Sequence, residues 1–234
     1  TTFNQVGTQT GRLASENPNL QNIPIKTEYG RAVRKAFIPD PGWHLYSFDY
    51  SQVELRIAAD LAHDEKMIQA FHEGLDIHTL TAAEVNNIPI GAVTPELRRK
   101  AKALNFGVLY GMGAKGFAES ARIPLPDAET FIEEYFEDFK GIARFIEKTK
   151  QFARDNGYVE TAYGRRRSLP GIHSSNFMIQ REAERMAVNM PIQGTATGDI
   201  MKDAMIRVSA LIQHRYPHDA RLLLQIHDEL LCEI

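Results

Sequence analysis

The stretch LLLQIHDELLCEI, from Leu222 to Ile234, sets two apolar runs on either side of a polar triplet. Short apolar runs with a polar break between them are typical of paired strands. The stretch therefore predicts an antiparallel hairpin with His227 and Asp228 at or near its bend. Ionisable groups inside a sheet core are costly unless a partner neutralises them. The triplet thus predicts a cationic partner and further ligands elsewhere in the chain.

A second strand-like run, WHLYSFDY (43–50), ends close to a carboxylate, Asp49, and a helical pattern that contains Glu54 follows it. Alone, these residues indicate a helix-capping Asp and an exposed Glu. Together with Asp228 they make a pair of carboxylates at two strand ends, and such hard oxygen ligands suit Mg²⁺. We therefore expect Asp49 and Asp228 to share a divalent cation.

The segment LRRKAKALNFGVLYG (97–111) predicts an amphipathic helix that begins after the capping residue Thr94 and the first-turn residue Pro95. At about 100° per residue, one face carries two cations followed by two aromatic rings, and the opposite face is apolar. Phosphates favour Arg and Lys, and a base favours a flat apolar surface. The face therefore suggests nucleotide binding, with a solvated amphipathic helix as the alternative.

Composition sets broad limits on the protein's class. The chain has 234 residues, 43% of them hydrophobic, a net charge of −3 and one cysteine, Cys232. This is ordinary globular composition that excludes an intrachain disulfide, and no apolar run is long enough for a membrane span. Helical and strand-like segments alternate irregularly, which predicts an α+β fold. Both ends look cut, so we expect a fragment of a longer protein.

Several ordered blocks resemble the polymerase region of the family A DNA polymerases, the bacterial DNA polymerase I type. DYSQVELR (49–56) resembles motif A, RRKAKALNFGVLYG (98–111) resembles motif B, and HDE (227–229) resembles motif C. Four further blocks stand in the expected order: TGRLASENPNLQNIP (10–24), DIHT (76–79), GYVETAYGRRR (157–167) and REAERMAVNMPIQG (181–194). The resemblance covers nearly the whole chain.

The resemblance implies a right-hand polymerase fragment without thumb and exonuclease domain. A palm with a small antiparallel sheet would take up residues of about 1–75 and 181–234, and helical fingers would take up about 76–180. The implied activity is template-directed transfer of a deoxynucleotidyl group from a dNTP to a primer 3′-OH by a two-metal-ion mechanism. Alternatives that stay open are a single-subunit RNA polymerase relative, a non-catalytic nucleic-acid-binding module and a metal-dependent nuclease.

The resemblance also implies a role for individual residues. The catalytic carboxylates would be Asp49 and Asp228, supported by Glu229, and the Tyr50 carbonyl would be a further metal ligand. The nucleotide would contact Gln52, Glu54, His78, Arg98, Lys102, Phe106 and Tyr110, with Glu54 as a steric gate against ribose. The DNA would contact Arg12, Gln21, Asn22, Arg185, Asn189, Gln193 and His227.

Implied cofactors are two Mg²⁺ ions, with Mn²⁺ as an alternative, and implied partners are primer–template DNA and a dNTP. We expect a cytoplasmic, nucleoid-associated monomer of bacterial or phage type, with a thumb subdomain in the parent protein. One departure from the family pattern is TATGD (Thr195 to Asp199), which is one residue longer than the usual TAAD. A bulge in the helix can absorb such a residue, and it affects where Gln193 points.

Overall fold

The computed structural model of the chain describes residues 1–24 and 27–234. Its strands are β1 (Thr2–Asn4), β2 (Ala14–Glu16), β3 (Leu45–Asp49), β4 (Tyr158–Glu160), β5 (Arg166–Ser168), β6 (Arg221–Ile226) and β7 (Glu229–Glu233). Its α-helices are α1 (Glu28–Arg34), α2 (Val53–Ala62), α3 (Glu65–His72), α4 (Ile77–Val85), α5 (Pro95–Leu109), α6 (Ala114–Ala121), α7 (Leu125–Asp138), α8 (Lys140–Asn156), α9 (Phe177–Gln193) and α10 (Met201–Arg215). Short 3₁₀ turns occur at Leu20–Asn22 and Ile90–Ala92.

The chain packs into two compact units, one of which is built from both ends of the sequence. The first unit comprises Thr1–Val53 and Gln193–Ile234, and the second unit comprises Glu54–Ile192. An α+β arrangement of this kind confirms the expected fold class. The assignment of palm and fingers, with limits at about residues 75 and 180, stays a prediction.

A three-stranded antiparallel sheet organises the first unit, in the order β3–β7–β6. The hairpin of β6 and β7 confirms the prediction from Leu222 to Ile234, and its turn leaves His227 with a positive φ of 57°. Strand β3 pairs with β7 from Leu45 opposite Glu233 to Asp49 opposite Glu229. The last residue of β3 and the first residue of β7 therefore lie side by side.

The polar triplet at this turn is less buried than its apolar flanks suggested. His227 is exposed, and Asp228 and Glu229 are half-buried. The reason is that the triplet occupies the β6–β7 turn and the first residue of β7, at the end of the sheet and not within it. The expectation of a triplet fully inside a sheet core was therefore wrong.

Helices α2 to α8 and part of α9 surround the main core of the second unit. Its largest fully buried side chains include Leu55, Met67, Ile77, Leu109 and Phe117. Polar caps fix where the helices begin, as the Thr94 hydroxyl does for α5 by accepting from the Leu97 N–H. A carboxylate at 3% exposure, Asp64, accepts from the N–H groups of Met67 and Gly141 and so joins the starts of α3 and α8.

The helix predicted after the Thr94 cap agrees with the observed α5 to within two residues at each end. Helix α9 continues through Pro191, a residue type that usually ends or kinks a helix. It then runs into a π-helical segment, Gly194–Ile200, before α10 begins. A π-helical turn is how a helix takes up an extra residue, so the bulge expected at Thr195 to Asp199 is confirmed.

Candidate functional site

Three acidic side chains gather at the adjoining ends of β3 and β7 in the first unit. Asp49 is the register partner of Glu229, and the Tyr50 N–H donates to the Asp228 carbonyl at 3.0 Å. Partial burial, and then the negative charges of Asp228 and Glu229, raise the pKa of Asp49 above its ordinary value. Mutual repulsion of this kind is relieved when a cation binds.

The donor set fits Mg²⁺ better than a metal that needs a closed protein cage. Among residues 1–24 and 27–234, no group of three or more His, Cys, Asp or Glu side chains is arranged to hold a metal by itself. Mg²⁺ is commonly bound by one or two carboxylates, while water and phosphate oxygens complete its octahedron. The pair Asp49 and Asp228 is therefore suited to a cation that a phosphate ligand shares.

A cluster around Arg12 lies in the same unit. The Arg12 Nε donates to the Thr197 Oγ1 at 2.5 Å. With the Gln193 amide oriented so that its oxygen faces the guanidinium, this oxygen accepts from the Arg12 Nη1 and Nη2 at 3.1 and 3.2 Å. The π-helical segment allows this contact, because Gly198 has no side chain where the loop of Thr10 passes. Arg12 and Gln193, both predicted to contact DNA, are thus held by each other.

A second polar chain connects the predicted DNA-contacting loop to the turn of motif C. The Gln21 Nε2 donates to the side-chain and main-chain oxygens of Gln225, at 2.8 and 3.2 Å. Gln225 is only 3% exposed and donates in turn to the His227 carbonyl. Gln21 therefore acts on the turn through Gln225, whereas Asn22 is exposed.

In the second unit, α5 presents the predicted cationic face. Arg98 is half-buried and Lys102 is exposed, while Ala101, Leu104 and Val108 on the opposite face are buried. The Arg98 Nε and Nη2 donate to the two carboxylate oxygens of Asp76, at 3.1 and 2.7 Å. This paired hydrogen bond raises the pKa of Arg98, so its charge is permanent.

His78 is held as a neutral imidazole in a buried network. Its Nδ1 lies 3.0 Å from the Asn105 Nδ2, and the Asn105 Oδ1 accepts from the Thr81 hydroxyl at 3.1 Å. With the amide donating, Nδ1 is the acceptor and Nε2 carries the hydrogen. Burial is the main reason that the pKa of His78 is lowered to about 4. The charge of Asp76 acts in the opposite direction, and the nearby cations Arg98 and Lys102 lower the pKa further.

The aromatic residues of α5 continue its cationic face. Phe106 lies between the His78 ring, at 5.7 Å between centroids, and the Tyr110 ring, at 6.4 Å and nearly parallel. The Tyr110 hydroxyl donates to a carboxylate oxygen of Glu54, which is 8% exposed. The two side chains thus fix each other at the start of α2 and the end of α5.

Helix α9 passes close to the chain that follows α5. A Cβ on Gly111, whose φ is +67°, would lie 3.2 Å from the Arg185 Cα, so only glycine permits this approach. A groove of about 700 Å³ opens here, with Tyr110, Met112, Lys150 and Arg185 among its lining residues. Arg185 is exposed, as a contact to a large ligand requires.

Two predicted ligand residues have a buried amide oxygen without a hydrogen-bond partner in the described part of the chain. They are Gln52, which has a positive φ of 54°, and Asn189 on α9. A buried acceptor without a partner is costly, so each of these amides lacks a donor that the described residues do not supply.

With this geometry established, the chain can be assigned to a family. It belongs to DNA polymerase family A, whose model matches residues 1–234. The chain is 49% identical over 233 residues to the thermostable DNA polymerase I of Thermus aquaticus, and 54% identical over 234 residues to the DNA polymerase I of Deinococcus radiodurans. Both matches cover 100% of this chain but only 28% and 24% of those proteins.

A solved structure agrees with this assignment. It is the POL domain of Pol1 from M. smegmatis in complex with DNA primer-template and dNTP, with a TM-score of 0.94 and 47% identity. The match covers 100% of this chain and 41% of that one. The chain thus spans about a quarter of the length of the curated relatives named above. In residues 1–24 and 27–234, no helix has the length and apolarity that a bilayer crossing requires.

Several residues next to the predicted site went unnoticed in the sequence. Asp76, Thr81, Asn105, Thr197 and Gln225 each bond to a predicted site residue or to its direct partner. Only Asp76 had a sequence signal, since an Asp three residues before Thr79 is a helix N-cap pattern. The bonds of Thr81 with Asn105, Asn105 with His78, Thr197 with Arg12 and Gln225 with Gln21 join distant parts of the chain, so spacing cannot reveal them.

Proposed function

We propose that the chain performs template-directed DNA synthesis within a longer polymerase, transferring a deoxynucleotidyl group from a dNTP to a primer 3′-OH and releasing pyrophosphate. The observation that carries the proposal is the register of β3 against β7, with Asp49 opposite Glu229 and Tyr50 bonded to Asp228. The family membership and the primer-template and dNTP named for the M. smegmatis structure support the same reaction.

Asp49, Asp228 and the Tyr50 carbonyl would hold two Mg²⁺ ions, or Mn²⁺, with Glu229 as a supporting carboxylate. When bound, the ions would make the primer 3′-OH more acidic and stabilise the charge of the triphosphate and leaving pyrophosphate. The protein's part is to keep the carboxylates together despite their repulsion, which the paired strands do.

The nucleotide would be held by the face of α5 and by His78. Arg98 and Lys102 would bind phosphate oxygens through their positive charges, and the Nε2–H of neutral His78 would donate to another. Phe106 would stack near the base and sugar, and Tyr110 would stand by the templating position. Gln52 and Glu54 would line the sugar pocket, where the bulk of Glu54 leaves no room for a 2′-OH.

Primer and template would be contacted by Arg12, Gln21, Asn22, Arg185, Asn189, Gln193 and His227. The minor groove offers nearly the same acceptors for every correct pair. Donors from Arg12 and the amides would therefore test pairing geometry without reading sequence.

The test is a substitution that removes the charge of one carboxylate and keeps its shape. In the longer polymerase that contains this chain, Asp49→Asn is expected to reduce nucleotide transfer by roughly a thousandfold or more while primer–template affinity stays within about twofold. Single-turnover extension and a filter-binding assay measure the two quantities. Asp203→Asn is the matched control, because Asp203 pairs with Arg207 on the exposed side of α10. Full turnover by the Asp49 variant would refute the proposal.

A further inference from the structure

One carboxylate outside the proposed ligand set joins the two helices that carry the proposed phosphate ligands. Asp76 precedes α4, and its Oδ1 accepts from the Thr79 N–H at 2.7 Å and from the Thr79 hydroxyl at 2.8 Å. The same side chain receives the Arg98 Nε and Nη2 from α5. His78 lies two residues further along, in the helical turn that this cap fixes.

The geometry of the pair leaves part of the guanidinium available. A guanidinium has five N–H donors in a rigid fork, and Asp76 takes one from Nε and one from Nη2. The two hydrogens on Nη1 and the second on Nη2 are not used by this carboxylate. The fork is therefore fixed along one edge, while the opposite edge can meet an anion.

Fixing the fork matters because Arg98 has a long side chain in contact with water. Its side chain is 43% exposed, and that of Asp76 is 34% exposed. Immobilising a side chain of this type costs binding energy if the ligand must do it. An ion pair already formed in the free protein removes that cost from the ligand. Solvent also screens the repulsion between the Asp76 carboxylate and a bound polyanion.

We propose that Asp76 is a positioning residue for polyphosphate binding: it pre-orients Arg98 and, through the cap of α4, aligns His78 with it. This inference rests on the proposed function, because it takes Arg98 as a phosphate ligand. Burial alone would raise the pKa of Asp76, but hydrogen bonds from Arg98 and Thr79 lower it to about 2. The carboxylate is accordingly ionised wherever the polymerase would work.

The substitution Asp76→Asn separates the cap from the fork. The amide oxygen of the new side chain, in the place of Oδ1, can still accept from Thr79 and from the Arg98 Nε, but its NH₂ group faces the Nη2 donor. The second bond of the pair and the charge of the carboxylate are therefore lost, and the fork is no longer fixed along its edge. We expect binding of inorganic tripolyphosphate to the chain to weaken about fivefold, from the cost of fixing one long side chain. Titration followed by ³¹P NMR measures the affinity, and thermal unfolding reports whether the helix cap survives.

A double-mutant cycle distinguishes positioning from a merely structural role. If Asp76 acts through Arg98, Asp76→Asn has no further effect on tripolyphosphate affinity once Arg98 is replaced by Ala. A loss of similar size in both backgrounds would mean that Asp76 only stabilises the fold, and would overturn the inference. Tighter binding by Asp76→Asn would also overturn it, since Asp76 would then compete with the anion.

The same cycle keeps the two proposals apart. If Arg98→Ala leaves tripolyphosphate affinity unchanged, the proposed phosphate role of Arg98 fails, and the inference on Asp76 fails with it. If Arg98→Ala weakens binding but Asp76→Asn does not, only the inference fails. Glu96→Gln is the matched control, because it also removes one negative charge. Glu96 lies on α5, where it is exposed and pairs with Lys100 at 3.3 Å. We expect no weakening in that variant.

Discussion

At the scale of single residues, the site consists of polar groups that hold one another in place. Glu54 is a nearly buried carboxylate at the start of α2, and the Tyr110 hydroxyl at the end of α5 donates to it. A buried carboxylate without a hydrogen bond would be costly. The pairing therefore gives Glu54 one fixed orientation, which a steric gate requires.

The gate can be tested by separating the bulk of Glu54 from its charge. Glu54→Ala removes the side chain that would collide with a 2′-OH, so we expect discrimination against ribonucleotides to fall by about a hundredfold or more. Glu54→Gln is the matched control, because it keeps the volume and an oxygen that can accept from Tyr110. Ribonucleotide against deoxynucleotide incorporation by the longer polymerase, expressed as the ratio of kcat/KM, measures both. Equal discrimination by the two variants would show that bulk is not the cause.

Residue type and helical spacing were sufficient to predict the face of α5, because one regular helix fixes the relative directions of Arg98, Lys102 and Phe106. The approach of Asp49 to Asp228 was an inference from two carboxylates at strand ends, which spacing alone does not establish and which depends on the pairing of β3 with β7. The supporting groups were not predictable in this way. Asn105 reaches His78, and Gln225 reaches Gln21, only through tertiary packing, and a buried amide looks like any other polar residue in the sequence.

At the scale of elements, the π-helical segment Gly194–Ile200 determines how the loop of Arg12 packs. A Cβ on Gly198 would lie 2.3 Å from the Thr10 carbonyl oxygen, closer than atoms can approach. The extra residue thus produces a turn with a glycine at the point of contact. Thr197, one residue earlier, accepts from Arg12.

We therefore expect Gly198→Ala to force the loop of Thr10 away from the π-helical segment. Overpacking of this kind typically costs about 1–3 kcal/mol of unfolding free energy, and the Arg12–Thr197 bond should be lost with it. Urea denaturation measures the first effect, and primer–template affinity of the longer polymerase measures the second. Gly91→Ala is the control, since a Cβ there meets no atom within 4 Å. An unchanged stability of Gly198→Ala would contradict the packing argument.

Elements with a strong local signal were predicted close to their observed limits, among them α5 with its Thr94 cap. Helix α1 is an element that the sequence does not predict, because residues 1–42 are rich in Asn, Gln, Thr, Gly and Pro, which favour loops. Its only buried residue is Gly30, so no apolar period marks it. A Cβ on Gly30 would lie 2.0 Å from the Pro24 carbonyl oxygen, which indicates that close backbone packing, and not an apolar face, holds this helix.

At the scale of the whole molecule, the chain offers a separate probe for each of its two units. Trp43 is the single tryptophan and lies in the first unit, where the Arg221 guanidinium packs over its ring at 4.3 Å. Most of the long helices, α2 to α8, belong to the second unit. Tryptophan fluorescence therefore follows the first unit, and the helical circular dichroism follows mainly the second.

The two probes should respond differently to acid. The pKa of His78 is lowered from 6.5 to about 4 in the folded second unit, so the unfolded chain binds more protons between these values. The contribution of neutral His78 to the free energy of unfolding is fully present above pH 6.5. It declines as the pH falls towards 4, by up to roughly 3 kcal/mol. We expect the urea midpoint seen by circular dichroism to fall more between pH 7 and 4.5 than the Trp43 midpoint. His78→Gln cannot be protonated and should remove most of that difference. If the variant and the parent chain lose the same helical stability in acid, a buried neutral His78 is not its cause.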